Sequence, residues 1–120
     1  MLNAAFIILG IAVLLGTALA AIFLRTESGA AAPWPLAALH GFCGAGGLAC
    51  LLLALQGPAR GFEHGTAAFG KISAALIALA ALFGGAVLAI HLRTKHRAGT
   101  LIGVHAMLAV SGFVVLAAYI

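Results

Sequence analysis

Two histidines lie inside sequence that is otherwise as apolar as a membrane helix. His40 is part of LAALHGFCGAGGL (36–48), and His105 is part of LIGVHAMLAVSGF (101–113). An ionisable side chain at membrane depth is costly, so it indicates a functional site. Imidazole can bind a metal, carry a proton or simply form a hydrogen bond, and the pair is open to each of these chemistries.

The two histidines occupy matching positions in an internal repeat. The alignment joins GTALAAIFLRT (16–26) to GGAVLAIHLRT (84–94), and LAALHGFCGAGGLACLL (36–52) to LIGVHAMLAVSGFVVLA (101–117). It places His40 on His105 and Gly47 on Gly112. The sequence therefore predicts a helical hairpin used twice, with the two hairpins related by a pseudo-two-fold axis along the membrane normal.

The composition is typical of an integral membrane protein. Of the 120 residues 65% are hydrophobic and 7% are charged, whereas a soluble domain is about one quarter charged. The mean hydropathy is +1.26, and one small core cannot keep that much apolar surface from water. We predict an all-α fold, a four-helix membrane bundle in a single domain of residues 1–120.

Four apolar runs are each long enough to cross a hydrocarbon core of ~30 Å. They cover residues 2–24, 34–56, 67–92 and 99–120. The short polar connections at 25–35, 56–66 and 93–99 make successive helices antiparallel neighbours. Thr66 is a candidate N-cap for the third helix.

The basic residues predict the orientation of the chain. One face carries Arg25, Arg93, Lys95 and Arg97, and the other carries Arg60 and Lys71. The positive-inside rule places the first set in the cytoplasm. We therefore expect a bacterial inner membrane protein with both termini on the non-cytoplasmic side, and with Trp34 and Tyr119 near opposite interfaces.

Several classes of function are excluded by what the sequence lacks. It has no Asp, and its two acids, Glu27 and Glu63, fall in connections on opposite faces. It contains no phosphate-binding loop and no Ser-His-Asp set. The net charge of +4 gathers at helix ends rather than in a stripe with aromatic residues, so no nucleic acid partner is expected.

Two facing imidazoles at equal depth suit a haem iron. His40 follows Pro33, and His105 follows Ala98, at the same spacing, which places both rings about 10 Å inside the boundary. Haem takes one axial ligand on each face, and helical bundles commonly hold it. The alternatives are a structural or proton-handling pair, another tetrapyrrole such as chlorophyll, or a zinc or copper site, which would need further ligands.

Small residues follow each histidine along one helix face. Gly44 and Gly47 follow His40, while Ala109 and Gly112 follow His105 at the same spacings. A flat porphyrin could lie against such side-chain-free backbone. The alternative is that these residues only allow close helix packing.

Three further residues could contact the cofactor from the cytoplasmic ends of the first and third helices. Arg25 and Arg93 are equivalent in the repeat and could pair with the two haem propionates, or else anchor lipid phosphates. His91 could bond a propionate, ligate a second haem or lie at the interface. His64, near the opposite face, has no histidine partner in its part of the sequence.

His40 with Gly44 and Gly47, and His105 with Gly112, give a pattern that resembles the small membrane-embedded b-type cytochromes. The resemblance implies a helical bundle in which histidines on different helices hold haem b and its iron. It also implies single-electron transport to or from a quinone or the redox centre of a partner subunit, rather than an enzyme acting by itself. The other hypotheses are a haem-free structural or assembly subunit and a pigment-binding subunit.

Overall fold

The protein is a bundle of four long helices. The computed structural model describes residues 1–25, 33–58, 60–94 and 98–120. The helices are α1 (Leu2–Arg25), α2 (Trp34–Ala54), α3 (Phe69–Thr94) and α4 (Gly99–Tyr119), with one 3₁₀ turn at Phe62–His64. No strand occurs in these four ranges. The predicted all-α fold is confirmed.

The second and third helices differ slightly from their predicted bounds. α2 ends at Ala54, where the amides of Gln56 and Gly57 bond the carbonyls of Leu53 and Ala54 in a tighter turn, and Pro58 follows. α3 begins at Phe69 rather than at residue 67.

The prediction that Thr66 caps α3 is wrong. Its amide and its hydroxyl both donate to the carbonyl of Gly61, at 2.9 and 3.4 Å. Gly61 has a φ of +77°, a left-handed conformation that favours glycine. The hydroxyl therefore closes the preceding turn instead of capping the helix.

All four helices are long and apolar enough to cross a membrane, and the chain is an integral membrane protein. Trp34 is 78% exposed at the start of α2, as expected for an interfacial ring. Tyr119 is the last residue of α4, and its side chain is buried. Its ring packs where Gly70 has no side chain: a Cβ there would lie 2.7 Å from the ring.

The helices pack as two antiparallel hairpins. α1 packs mainly on α2, and α3 mainly on α4, while thinner seams join α1 to α4 and α2 to α3. In the first hairpin Gly47 lies against Leu9, and in the second Gly112 lies against Ile77. The repeat aligns these two contacts residue for residue, so the predicted repeat of a hairpin is present in the fold.

The bundle is closely packed in only one half. Its buried apolar cluster comprises Leu2, Ala5, Leu9, Leu51, Ala74, Ile77, Leu116 and Tyr119. We call this the closed half; it lies toward the end that carries Arg60. The open half lies toward the end that carries Arg25 and Arg93, and comprises residues 13–25, 33–46, 81–94 and 98–111. None of these residues is fully buried.

The two hairpins are not identical in the closed half. Ser73 is fully buried, and its hydroxyl donates to the carbonyl of Gly112 at 2.8 Å. The repeat places the apolar Ala5 at the equivalent position in α1. This bond ties α3 to α4 at a position where Ala5 has no hydroxyl to offer.

The antiparallel order places Arg25 and Arg93 at one end of the bundle and Arg60 and Lys71 at the other. Lys95 and Arg97, which also support the predicted orientation, lie outside the described residues. Which end faces the cytoplasm therefore stays a prediction.

Candidate functional site

The structure brings the two repeat-paired histidines together. The ring centroids of His40 and His105 lie 5.8 Å apart, and the ring planes cross at 80°. Both side chains are half-buried, and each sits at the same position relative to the start of its helix. The histidines come from α2 and α4, which occupy opposite corners of the bundle, so their rings meet across its axis.

Each imidazole is fixed by a backbone carbonyl of its own hairpin. Nδ1 of His40 lies 2.9 Å from the carbonyl oxygen of Ala12, and Nδ1 of His105 lies 2.7 Å from that of Ala80. The repeat aligns Ala12 with Ala80, so the two bonds are equivalent. A carbonyl oxygen can only accept, so Nδ1 must carry the proton in both rings.

This bond determines the chemistry that remains at each ring. In a neutral imidazole with Nδ1 protonated, Nε2 keeps a free lone pair. Neither Nε2 has a hydrogen-bond partner among the described residues. Metal-bound histidines commonly donate their other ring N–H to a backbone carbonyl, which fixes the ring and raises its basicity.

Two glycines make room for the rings. A Cβ on Gly16 would lie 2.9 Å from Cε1 of His40, and a Cβ on Gly84 would lie 3.0 Å from Cε1 of His105. Any larger residue would push the imidazole away from its carbonyl partner. Gly16 and Gly84 are therefore positioning residues of the site.

Sequence reasoning missed the role of these glycines. The repeat alignment places Gly16 on Gly84, which was the available signal. However, a matched glycine does not reveal which partner it faces. The carbonyl acceptors carry no signal in the sequence at all, because every residue has a carbonyl group.

A cavity of about 70 Å³ is lined by both rings. Its walls are mostly small or apolar: Leu9, Ala12, Val13, His40, Gly44, Ile77, Ala80, Ala81, His105, Ala109 and Phe113. It lies at the boundary between the closed half and the open half. A porphyrin is several times larger, so it would have to extend into the open half and part the seams between the hairpins.

The glycines predicted to face a porphyrin take two different positions. Gly44 lines the cavity, and a Cβ there would meet nothing within 4 Å. Gly47 and Gly112 instead lie at the hairpin contacts with Leu9 and Ile77. Those two positions match the close packing that the sequence left open as an alternative.

His91 lies on the inward stripe of α3. It is half-buried and continues the series of Ala80, Gly84 and Val87 at helical spacing. It stands two turns beyond Gly84, or about 10 Å along the axis, so it does not join the histidine pair. It lies in the open half, in the same last turn of α3 as Arg93.

The remaining predicted site residues lie at the surface. Arg25 and Arg93 are exposed at the last turns of α1 and α3. His64 is exposed in the 3₁₀ turn at the opposite end. Cys43 and Cys50 are free thiols.

No protein-family model, curated protein or solved structure matches this chain. The function must therefore be argued from the site itself. Within the described residues no group of three or more His, Cys, Asp or Glu side chains comes together. A haem iron requires only two ligands from the protein, because the porphyrin supplies the other four.

Proposed function

We propose that this protein is a membrane b-type cytochrome, or the cytochrome subunit of a redox complex, with haem b held by His40 and His105. The observation that carries the proposal is the pair of equivalent Nδ1–carbonyl bonds, to Ala12 and Ala80. They leave two Nε2 lone pairs beside one cavity. A histidine with only a structural role needs no more than its Nδ1 bond. Two unpartnered Nε2 atoms in one cavity are what a metal held between two histidines requires.

The spacing of the rings supports a shared metal. Metal–imidazole bonds of about 2 Å would place two ring centroids about 6 Å apart on either side of one ion, and the observed separation is 5.8 Å. The crossing angle of 80° is no obstacle, since each ring needs only to present Nε2 along the axis. Modest turning of the rings would complete the geometry.

The open half supports a large, flat cofactor rather than a bare ion. A plane between His40 and His105 would contain the bundle axis and direct its edges toward α1 and α3. On those two helices Gly16 and Gly84 leave room for the histidine rings themselves. Haem propionates directed along the axis would approach Arg25 and Arg93, with guanidinium groups suited to carboxylates.

When bound, haem b supplies reversible one-electron chemistry at its iron. His40 and His105 would hold the iron and the apolar helices would exclude water, and both would influence its potential. A single haem in one half of the bundle spans only part of the bilayer. We therefore propose that a quinone or the redox centre of a partner subunit exchanges electrons with it.

We place the protein in the bacterial inner membrane, with the Arg25 and Arg93 end in the cytoplasm. The positive-inside rule supports this orientation through the basic residues that follow α1 and α3. Both termini would then face the non-cytoplasmic side. The propionates would point to the cytoplasmic face.

The deciding experiment is a dithionite-reduced minus oxidised absorbance spectrum of the purified protein, with iron measured by elemental analysis. We expect sharp α and Soret bands of low-spin haem b and one iron per chain. A colourless, iron-free protein from haem-replete cells would overturn the proposal in favour of a structural subunit. Extracted chlorophyll or carotenoid would instead identify a pigment-binding subunit.

A further inference from the structure

A second cavity lies at the other end of the bundle, far from the histidines. It measures about 160 Å³ and is lined by Met1, Leu2, Ala54, Gly57, Pro58, Arg60 and Tyr119. Leu2 stands ten residues before Ala12, which is about 15 Å along α1. The proposed cofactor site therefore does not explain this cavity.

Tyr119 presents a polar group to the cavity without a partner. The residue is only 7% exposed, because its ring fills the space over Gly70. Its hydroxyl has no hydrogen-bond partner among the described residues and remains accessible to solvent. An unpartnered phenol hydroxyl in the lining of a cavity can donate a hydrogen bond to a molecule bound there.

Arg60 adds a positive charge to the lining of this cavity. It makes no ion pair with any residue in the described part of the chain, where Glu63 is the only acid. The first turn of α1, at Leu2, also lines the cavity, and the free amides of a helix start favour an anion.

The end of α2 does not oppose an anion at this cavity. Its carbonyls at Leu51, Leu53 and Ala54 accept from the amides of the following turn, so their negative potential is partly satisfied. No described acidic side chain lines the cavity. The lining is therefore rich in donors and free of carboxylates.

We propose that this cavity binds a phosphate oxyanion, supplied by the headgroup of an anionic membrane lipid. The guanidinium of Arg60 provides the planar, charge-assisted contact that phosphate prefers, and the hydroxyl of Tyr119 provides a neutral donor. The cavity lies where helices end and the connecting turn begins, which is the depth of lipid phosphates in a bilayer. The lipid tails would run along the apolar outer faces of the helices.

The test is native mass spectrometry of the full-length protein released from nanodiscs of phosphatidylglycerol mixed with phosphatidylcholine. We expect the wild type to retain one phosphatidylglycerol. Arg60→Gln should retain it roughly tenfold less well, through loss of a charged hydrogen bond. Tyr119→Phe, which keeps the ring over Gly70, should lose roughly threefold.

Lys71→Gln is the matched control, because it removes an exposed cation at the same end of the bundle that does not line the cavity. We expect its lipid retention to equal that of the wild type. Equal losses in Arg60→Gln and Lys71→Gln would overturn the proposal, since they would indicate general attraction to the membrane surface. If Arg60→Gln fails to fold, Tyr119→Phe carries the test, and unchanged retention in that variant overturns the proposal.

A comparison with inorganic phosphate tests whether the bound phosphate group belongs to a lipid headgroup or to free phosphate. We expect phosphatidylglycerol, but not millimolar inorganic phosphate, to raise the unfolding temperature of the wild type in detergent. Equal stabilisation by both would overturn the assignment to a lipid. The absorbance spectrum should be the same in Arg60→Gln and in the wild type, so this proposal and the haem proposal fail independently.

Discussion

At the scale of the residue, the site depends on where each imidazole keeps its proton. The carbonyls of Ala12 and Ala80 fix that proton on Nδ1, and the two Nε2 atoms then share one cavity. Burying two imidazoles in apolar helices costs free energy unless each polar atom finds a partner. A metal would satisfy both free nitrogens at once.

We expect His40→Ala and His105→Ala each to abolish the low-spin haem spectrum, because each removes one axial ligand. His64→Ala is the control, since that histidine is exposed at the opposite end of the bundle. The measurement is the reduced minus oxidised spectrum at equal protein concentration. Full low-spin bands in both single variants would contradict the assignment of ligands.

Gly84→Ala should displace the ring of His105, because the new Cβ would lie 3.0 Å from Cε1. We expect the bond to Ala80 to lengthen, at a cost of about 1–3 kcal/mol in stability, and the haem bands to weaken or shift. The neighbouring Gly85→Ala is the matched control, since its Cβ would meet nothing within 4 Å. Haem titration and thermal unfolding in detergent measure both effects, and equal behaviour of the two variants would rule out the positioning role.

At the scale of the element, the hairpin is the unit of packing. Each hairpin has its own glycine contact, Gly47 on Leu9 or Gly112 on Ile77, and its own histidine–carbonyl bond. The seams between hairpins are thinner and include the stacked rings of Phe6 and Phe113, with centroids 4.9 Å apart. A cofactor between the hairpins can therefore part these seams without breaking either hairpin.

We expect Gly47→Ala to loosen the first hairpin, because its Cβ would lie 2.6 Å from Cγ of Leu9 and 3.2 Å from its backbone nitrogen. Overpacking of this kind costs about 1–3 kcal/mol. Gly46→Ala provides the comparison, since that position faces open space and alanine favours the helix. Thermal unfolding in detergent should separate the two variants, and a Gly47→Ala protein as stable as Gly46→Ala would refute close packing at this point.

At the scale of the whole molecule, the bundle has two unlike halves. The closed half holds the apolar cluster and supplies the stability, while the open half is left with half-buried and exposed residues around its axis. The proposed haem would fill the axis of the open half, and the proposed lipid would bind at the far end of the closed half. The two sites would then lie toward opposite faces of the membrane.

The proposed orientation can be tested with reporters fused after Ile120. If the C-terminus is periplasmic, fused alkaline phosphatase should be active, because this enzyme folds only in the periplasm. Fused green fluorescent protein should not fluoresce, because it does not fold to its fluorescent form when it is exported through the Sec pathway. Fusions after Thr94, at the opposite end of the bundle, serve as the reversed control. A fluorescent C-terminal fusion would place both termini in the cytoplasm and so contradict the proposed orientation.

The sequence by itself determined the class of the protein and the partners within the repeat. Four apolar runs separated by charged connections leave few folds other than a membrane bundle, because every backbone polar group in lipid must be bonded within a helix. The matched positions of His40 and His105 already predicted two rings at equal depth. The hydropathy of each segment and the similarity between the two repeats are both properties of the sequence, so neither requires a structure to be recognised.

Only the tertiary structure decided how the rings are held and which small residues face them. The Nδ1–carbonyl bonds, the clearance at Gly16 and Gly84, and the burial of Tyr119 over Gly70 all join different helices. They depend on the rotation and register of one helix against another, to within about an ångström. No local pattern encodes that rotation, because it is set by how all the side chains at an interface pack together.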